Sequence, residues 1–254
     1  MNKYWIDGRF TSEGFDQSGW VVGEGLFETI RCEGARIFAL NRHMRRAMRA
    51  GRELGISIPK ESVILDVLDQ VLLPNPIELA RLRLLFSKEN FAISYESYQE
   101  PQGRIRLAFS ESAADSISHK TYPYNHRLDL LHAAQAKGFD EVLLTNSKGL
   151  VTEGAVSTLF FRDQRGWFTT PLSSGVLPGV MRGLYLDHLE IEVRTLAIEE
   201  ISSLQSVLAV SSLRLAQEVT DLGEFQLRCD ADSAAMVEKM RQIAHDSSVV
   251  LAHG

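Results

Sequence analysis

The chain has 254 residues, 44% of them hydrophobic and 24% charged, enough to bury a substantial core as one large domain or two smaller ones. A net charge of −6 and a pI near 5.7 argue against a nucleic-acid binder, which normally carries a basic face. Cys32 and Cys229 give neither a disulfide framework nor a metal-ligand spacing, and no window approaches the roughly 18 apolar residues of a membrane helix. The start, Met1 to Gly8, lacks the apolar stretch of a signal peptide, so a cytoplasmic protein with reduced cysteines is expected.

In chain order, Tyr4 to Phe10 reads as a hairpin turning at Asp7-Gly8. Phe27 to Arg31 and Arg36 to Leu40 follow as strands. Asn41 is placed to cap a helix from Arg42 to about Leu54, ended by Gly55. A second helix runs from Glu61 to about Leu73 and stops at Pro74. Arg81 to Phe86, Phe91 to Tyr95 and Arg104 to Phe109 alternate or run apolar as strands do. The small, polar stretch Glu111 to Ser116 then shifts the composition. It suggests a smaller N-terminal α/β domain over 1–111, a linker over 112–118 and a larger C-terminal domain over 119–254. Beyond it come an amphipathic helix from Arg127 to Lys137 closed by Gly138, and strands over 141–145, 157–162 and 167–170. A helix starts after Pro178-Gly179, a strand spans Val207 to Ser211, and the tail from Asp232 to His245 is helical. The mixed order of strands and helices predicts an α+β protein in two lobes.

Five segments carry candidate chemistry. They are Ser118-His119-Lys120-Thr121, Val151-Thr152-Glu153-Gly154, Val176 to Arg182 with its Leu177-Pro178-Gly179, Gly23 to Arg31, and His43-Met44-Arg45-Arg46. Taken singly each is weak: a lysine is usually a surface cation, Glu153 could be a turn residue, and Leu-Pro-Gly describes many turns. Gly179 does let the backbone approach closely, and the first N–H groups of the helix after it can point at an anion. His43 and Arg46 stand side by side at helical spacing. His43 reads as structural, packing or bonding near Arg46; His119 adjoins the lysine and is more open, though a sequence neighbour in a strand usually points away, and neither is taken as the general base.

Together and in this order the segments resemble the fold-type IV enzymes of pyridoxal 5'-phosphate (PLP), over about Tyr4 to Thr220. Those are the branched-chain and D-amino-acid aminotransferases and the 4-amino-4-deoxychorismate lyases. The resemblance implies Lys120 as the Schiff-base lysine and Glu153 as the carboxylate that keeps a proton on the pyridine nitrogen. It implies Gly179, Val180 and Met181 as the phosphate cup, Ser212 as a second phosphate element and Arg46 as the phosphate's cationic partner. It further implies a homodimer with PLP between the lobes. One departure is Thr158, where the family usually has Asn.

Among the three reactions the lyase fits best. The D-amino-acid enzymes have an Arg-x-His trap, absent from Phe86 to Phe91 here, and a tyrosine where this chain has Phe27. The branched-chain enzymes are longer, with a Tyr-x-Arg-Pro element. The lyases are similar in the strand Arg81-Leu82-Arg83-Leu84, in His-Lys-Thr and in Asp140 to Asn146. Ser211 and Leu215 depart from their Asn-Ser-x-Arg-Gly. The expected activity is conversion of 4-amino-4-deoxychorismate to 4-aminobenzoate and pyruvate in folate biosynthesis, with a branched-chain or D-amino-acid aminotransferase as the alternative. Arg83, Arg81 and Arg214 are candidates for the substrate's carboxylates, or else ordinary ion pairs within a sheet. Phe27 and Thr29 complete the expected substrate side.

Overall fold

The computed structural model describes residues 3–110, 113 and 118–251. Most of the expected linker, 112–118, lies outside the described residues. Lys3–Ile6 (β1) and Arg9–Phe10 (β2) form the expected hairpin, with Asp7 and Gly8 both at positive φ as its tight turn requires. Next come Gly25–Glu33 (β3) and the short Arg36–Ile37 (β4). The strand expected over 36–40 ends early because Ala39 turns left-handed and starts the helix Leu40–Leu54 (α1). Ala39, not Asn41, is therefore the N-cap, and no side chain caps that end; Gly55 closes the other end in the left-handed conformation. Glu61–Leu72 (α2), Ala80–Phe86 (β5) and Phe91–Ser97 (β6) follow.

The chain continues through Ile105–Phe109 (β7), then Thr121–Tyr122 (β8), a short strand the sequence did not announce. Asn125–Ala136 (α3) was expected to be amphipathic, yet the residues it buries fully are Arg127 and Ala134, with Leu130 and Leu131 partly covered. Glu141–Thr145 (β9), Val151–Gly154 (β10), Thr158–Asp163 (β11) and Gly166–Thr169 (β12) lead to Val180–His188 (α4). Then come Glu192–Val193 (β13), Ser206–Val210 (β14), Gln217–Leu222 (β15), Phe225–Gln226 (β16), Ala231–Asp246 (α5) and Val249–Val250 (β17).

These elements form two compact units. The first comprises Met1–Glu100, His119–Pro123 and His245–Gly254; the second comprises Pro101–Ser118 and Tyr124–Ala244. This division differs from the one expected at 111 and 119. His119–Pro123, with Lys120, joins the first unit because β8 pairs with β3 at Gly25 and Leu26. The sheet of the first unit runs β17-β4-β3-β5-β6-β1-β2, with β8 beside β3. One of its faces packs Leu26, Ile30, Leu82, Leu84 and Ile93 against apolar residues of α1 and α2. Each such fully buried side chain contributes roughly 1.5–3 kcal/mol. The sheet of the second unit runs β10-β9-β7-β15-β14-β11-β12-β13, with β16 beside β15. Its core gathers Leu107, Leu143, Leu159, Phe161 and Val207. Among the described residues no helix is long and apolar enough to cross a membrane.

Candidate active site

Side chains alternate across β3, so Leu26, Glu28 and Ile30 share the helix-packed face while Phe27, Thr29 and Arg31 share the other. Register then assembles a polar face: Thr29 pairs with Arg83 and Arg31 with Arg81, while Arg83 pairs with Ser94 and Arg81 with Glu96. Four expected substrate residues, Phe27, Thr29, Arg81 and Arg83, are thus brought together. The two arginines are not bare. Arg81 is bonded to the Glu96 carboxylate, which also accepts from the Tyr4 hydroxyl at 2.7 Å and lies 3.8 Å from Arg83. Arg83 donates to the Ser18 carbonyl and stacks its guanidinium 4.3 Å from the Trp20 ring centre. Burial, and then Arg81, pull the Arg83 pKa down to about 10 against the opposing Glu96. Arg31, on the same face, meets Glu33 at 2.7 Å and Glu100 at 3.1 Å, so each guanidinium here has a carboxylate partner.

Lys120 lies at the edge of β3, where its carbonyl accepts from the Phe27 N–H at 2.9 Å. Its Nζ is 4.5 Å from the Phe27 ring centre, and Trp20 meets that ring edge-on at 4.6 Å. Gly25 allows this seating: a Cβ there would lie 2.1 Å from the Phe86 carbonyl and 2.7 Å from the Tyr122 hydroxyl. His119 turns to Glu53, 3.2 Å away.

On the helix-packed face, Glu28 is 1% exposed. Its Oε1 accepts from Arg46 Nε at 2.8 Å, and its Oε2 takes both Arg46 Nη2 and His43 Nδ1, the latter at 2.6 Å. Burial would raise this carboxyl, but Arg46 and His43 outweigh it and hold the pKa at about 2. His43 is moved down by burial against the pull of Glu28, with Arg46 and Lys120 adding to the decrease.

In the second unit Glu153 projects from β10, buried. Arg127 of α3 donates to its Oε1 and the Leu177 N–H to its Oε2, each at 3.1 Å. A carboxylate offers about four lone-pair sites, so these donors can orient it while it still accepts from a ring N–H. Gly179 caps α4, and a Cβ on it would stand 2.9 Å from Thr158 Oγ1. Val180 and Met181 follow as the first helical residues. Ser212 sits half-buried in the turn after β14, which Ser211 fixes by accepting from the Arg214 N–H at 3.2 Å. Arg214 belongs to the second unit. Its Nη1 donates at 3.2 Å to Glu141, a fully buried carboxylate whose pKa burial raises despite Arg214.

Sequence reasoning passed over Glu28, Trp20, Arg127 and Glu141. For Glu28 a signal existed: alternation puts an acid on the face of Leu26 and Ile30, where a charge needs partners. Arg127 and Glu141, and Trp20 in its contact with Arg83, act through segments far along the chain.

These side chains fit the group that the resemblance implies. Lys120 is an amine that a carbonyl can capture, and Glu153 is a buried, oriented carboxylate suited to a protonated ring nitrogen. Gly179 is a backbone position with no room for a side chain, at the start of a helix suited to a phosphate. The sequence profile described as amino-transferase class IV matches residues 25–222. The chain is 26% identical to an aminodeoxychorismate lyase of Bacillus subtilis over 226 residues, 75% of this chain and 76% of that one. It is 25% identical to a putative branched-chain-amino-acid aminotransferase of Methanocaldococcus jannaschii over 246 residues, 85% and 82% of the two chains. The fold superposes on that of a putative 4-amino-4-deoxychorismate lyase of Legionella pneumophila with a TM-score of 0.80 at 20% identity, covering 87% of this chain and 91% of that one. With the profile spanning both units and the site residues suited to the cofactor, the chain belongs to the class IV aminotransferases, PLP-dependent enzymes of fold-type IV.

Proposed function

We propose that the protein is a PLP-dependent lyase that converts 4-amino-4-deoxychorismate to 4-aminobenzoate and pyruvate. The observation that carries this reading is the polar sheet face of the first unit. There the Phe27 and Trp20 rings stand beside the Lys120 amine, Arg83 stacks on Trp20, and Arg81 lies on the same face. The substrate is an unsaturated ring bearing two carboxylates, and an aromatic wall flanked by guanidiniums complements it. The similarity to the Bacillus lyase supports the same choice.

When bound, PLP supplies an electron sink for charge released at the amine-bearing carbon. Lys120 holds the cofactor covalently at rest. As a free ε-amine it would take the proton from that carbon. Glu153, oriented by Arg127 and the Leu177 N–H, keeps the proton on the ring nitrogen. Arg46 of the first unit, and in the second the N–H groups at Val180 and Met181 beyond Gly179 and the Ser212 hydroxyl, would hold the phosphate. Phe27 brings a ring with no hydroxyl, so proton transfer on that side belongs to Lys120. Arg83 and Arg81 orient the carboxylates, and Thr29 lines the same face. Loss of the enolpyruvyl group makes the substrate ring aromatic, which drives the step.

A test supplies aminodeoxychorismate, made in situ from chorismate and glutamine by its synthase, with no keto acid present. Equal release of 4-aminobenzoate and pyruvate, lost in Lys120→Ala, is the expected outcome. No release from protein that still binds PLP covalently would move the assignment to an aminotransferase of branched-chain or D-amino acids. The Methanocaldococcus relative favours that second reading. The homodimer belongs to the same proposal, and sedimentation of the PLP-loaded protein at twice the chain mass is its check.

A further inference from the structure

We propose that Glu28 is a positioning residue for Arg46, its buried carboxylate fixing the guanidinium in the orientation that meets the cofactor's phosphate. The inference rests on the reading of Arg46 as the phosphate's partner.

Glu28 occupies a position that strand alternation gives to the apolar core. It shares a face with Leu26 and Ile30 and stands opposite Leu84 on β5. An ion pair in such a place is a poor source of stability, because well-packed apolar residues commonly do as well. Its geometry, however, orients. Glu28 takes Arg46 Nε on one oxygen and Nη2 on the other, a side-on fork that fixes the plane of the guanidinium. Those are two of the five N–H donors a guanidinium carries. His43, three residues before Arg46 on α1, holds the same carboxylate at 2.6 Å and so fixes the anchor itself. Ordering Arg46 before the ligand arrives removes rotamer freedom that binding would otherwise have to remove. Charge agrees with this role. His43 is pushed toward its neutral form by burial, which leaves one carboxylate against Arg46 and the nearby Lys120. The carboxylate is thus matched by Arg46, whose guanidinium is held still.

The experiment compares PLP with pyridoxal, which lacks the phosphate, binding to the full-length protein stripped of cofactor. Tryptophan fluorescence and the absorbance of lysine-bound cofactor give the two affinities. Glu28→Gln should weaken PLP by roughly tenfold, the low end of what outer partners contribute at metal sites, and leave pyridoxal unchanged. Equal weakening of both ligands, or PLP binding unchanged or tightened, would overturn the inference. Arg46→Gln separates the two layers of the argument. If it shifts both ligands together, the phosphate reading of Arg46 fails; if it weakens only PLP while Glu28→Gln does not, only the role of Glu28 falls. Should Glu28→Gln not fold, Glu28→Asp keeps the charge but shortens the reach by one methylene. A drop in its PLP-to-pyridoxal preference supports the inference, and an unchanged preference overturns it.

Discussion

A carboxylate among Leu26, Ile30 and Leu84 is tolerated only while its partners keep it ionised, and this makes Glu28 a source of acid sensitivity. Its pKa falls from 4.5 to about 2 on folding, so its contribution is complete above 4.5 and drains as pH drops toward 2. Urea unfolding across that window should lose on the order of 3 kcal/mol through this group, a loss missing from Glu28→Gln. Glu141 runs the opposite way. Burial raises its carboxyl, so its contribution is fullest when protonated and declines as pH rises above its unfolded value. Arg127 and Glu153 give a third case, since removing one partner strands a buried charge. Arg127→Met should cost about 3–5 kcal/mol in urea unfolding, and adding Glu153→Gln should return much of it. At this scale the strand alternation that puts Phe27 and Thr29 on one face of β3, and Arg81 and Arg83 on one face of β5, is written in the sequence. The partners Ser18, Trp20 and Glu96 are not, because register and loop closure bring them in from elsewhere.

The start of α4 shows how an element is fixed by one small residue. Gly179 has an ordinary extended backbone, so its requirement is space and not φ. Gly179→Ala should lower stability by about 1–3 kcal/mol through the Thr158 hydroxyl and weaken PLP binding. Thr158→Ala in that background should recover part of both, as a double-mutant cycle of melting and titration would read. Elements with strong periodicity or punctuation were legible: α1 with Gly55, α2 before Pro74, and α3 closed by Gly138. The N-cap of α1 was not, since the left-handed turn falls on Ala39, a residue with no preference for it. Strand β10, which carries Glu153, was missed because four residues with a bulge against β9 hold too little pattern.

For the whole molecule, α+β and two lobes followed from element order, but the membership of each unit did not. A two-residue pairing carries Lys120 into the first unit, and composition has no means of announcing it. The far end of the chain behaves likewise. Val249 and Val250 pair with β4, and the Leu251 N–H donates to the Ala35 carbonyl. Ending the chain after Ala244 would bare the edge of β4. Hydrogen exchange should then rise at Arg36 and Ile37, with a lower melting temperature, while β11 and β14 keep their protection.

That closing strand also bears on how the protein is made. Synthesis delivers β1 to β6 early, yet the edge of their sheet stays open until residues 249–251 have left the ribosome. Lys120 has to be laid beside Gly25 across nearly a hundred intervening residues. The second unit, by contrast, has all its strands once Gln226 is out. The nascent chain therefore waits with its first-made half unfinished, and that half is where a chaperone would bind and where a stalled ribosome would leave an aggregating product.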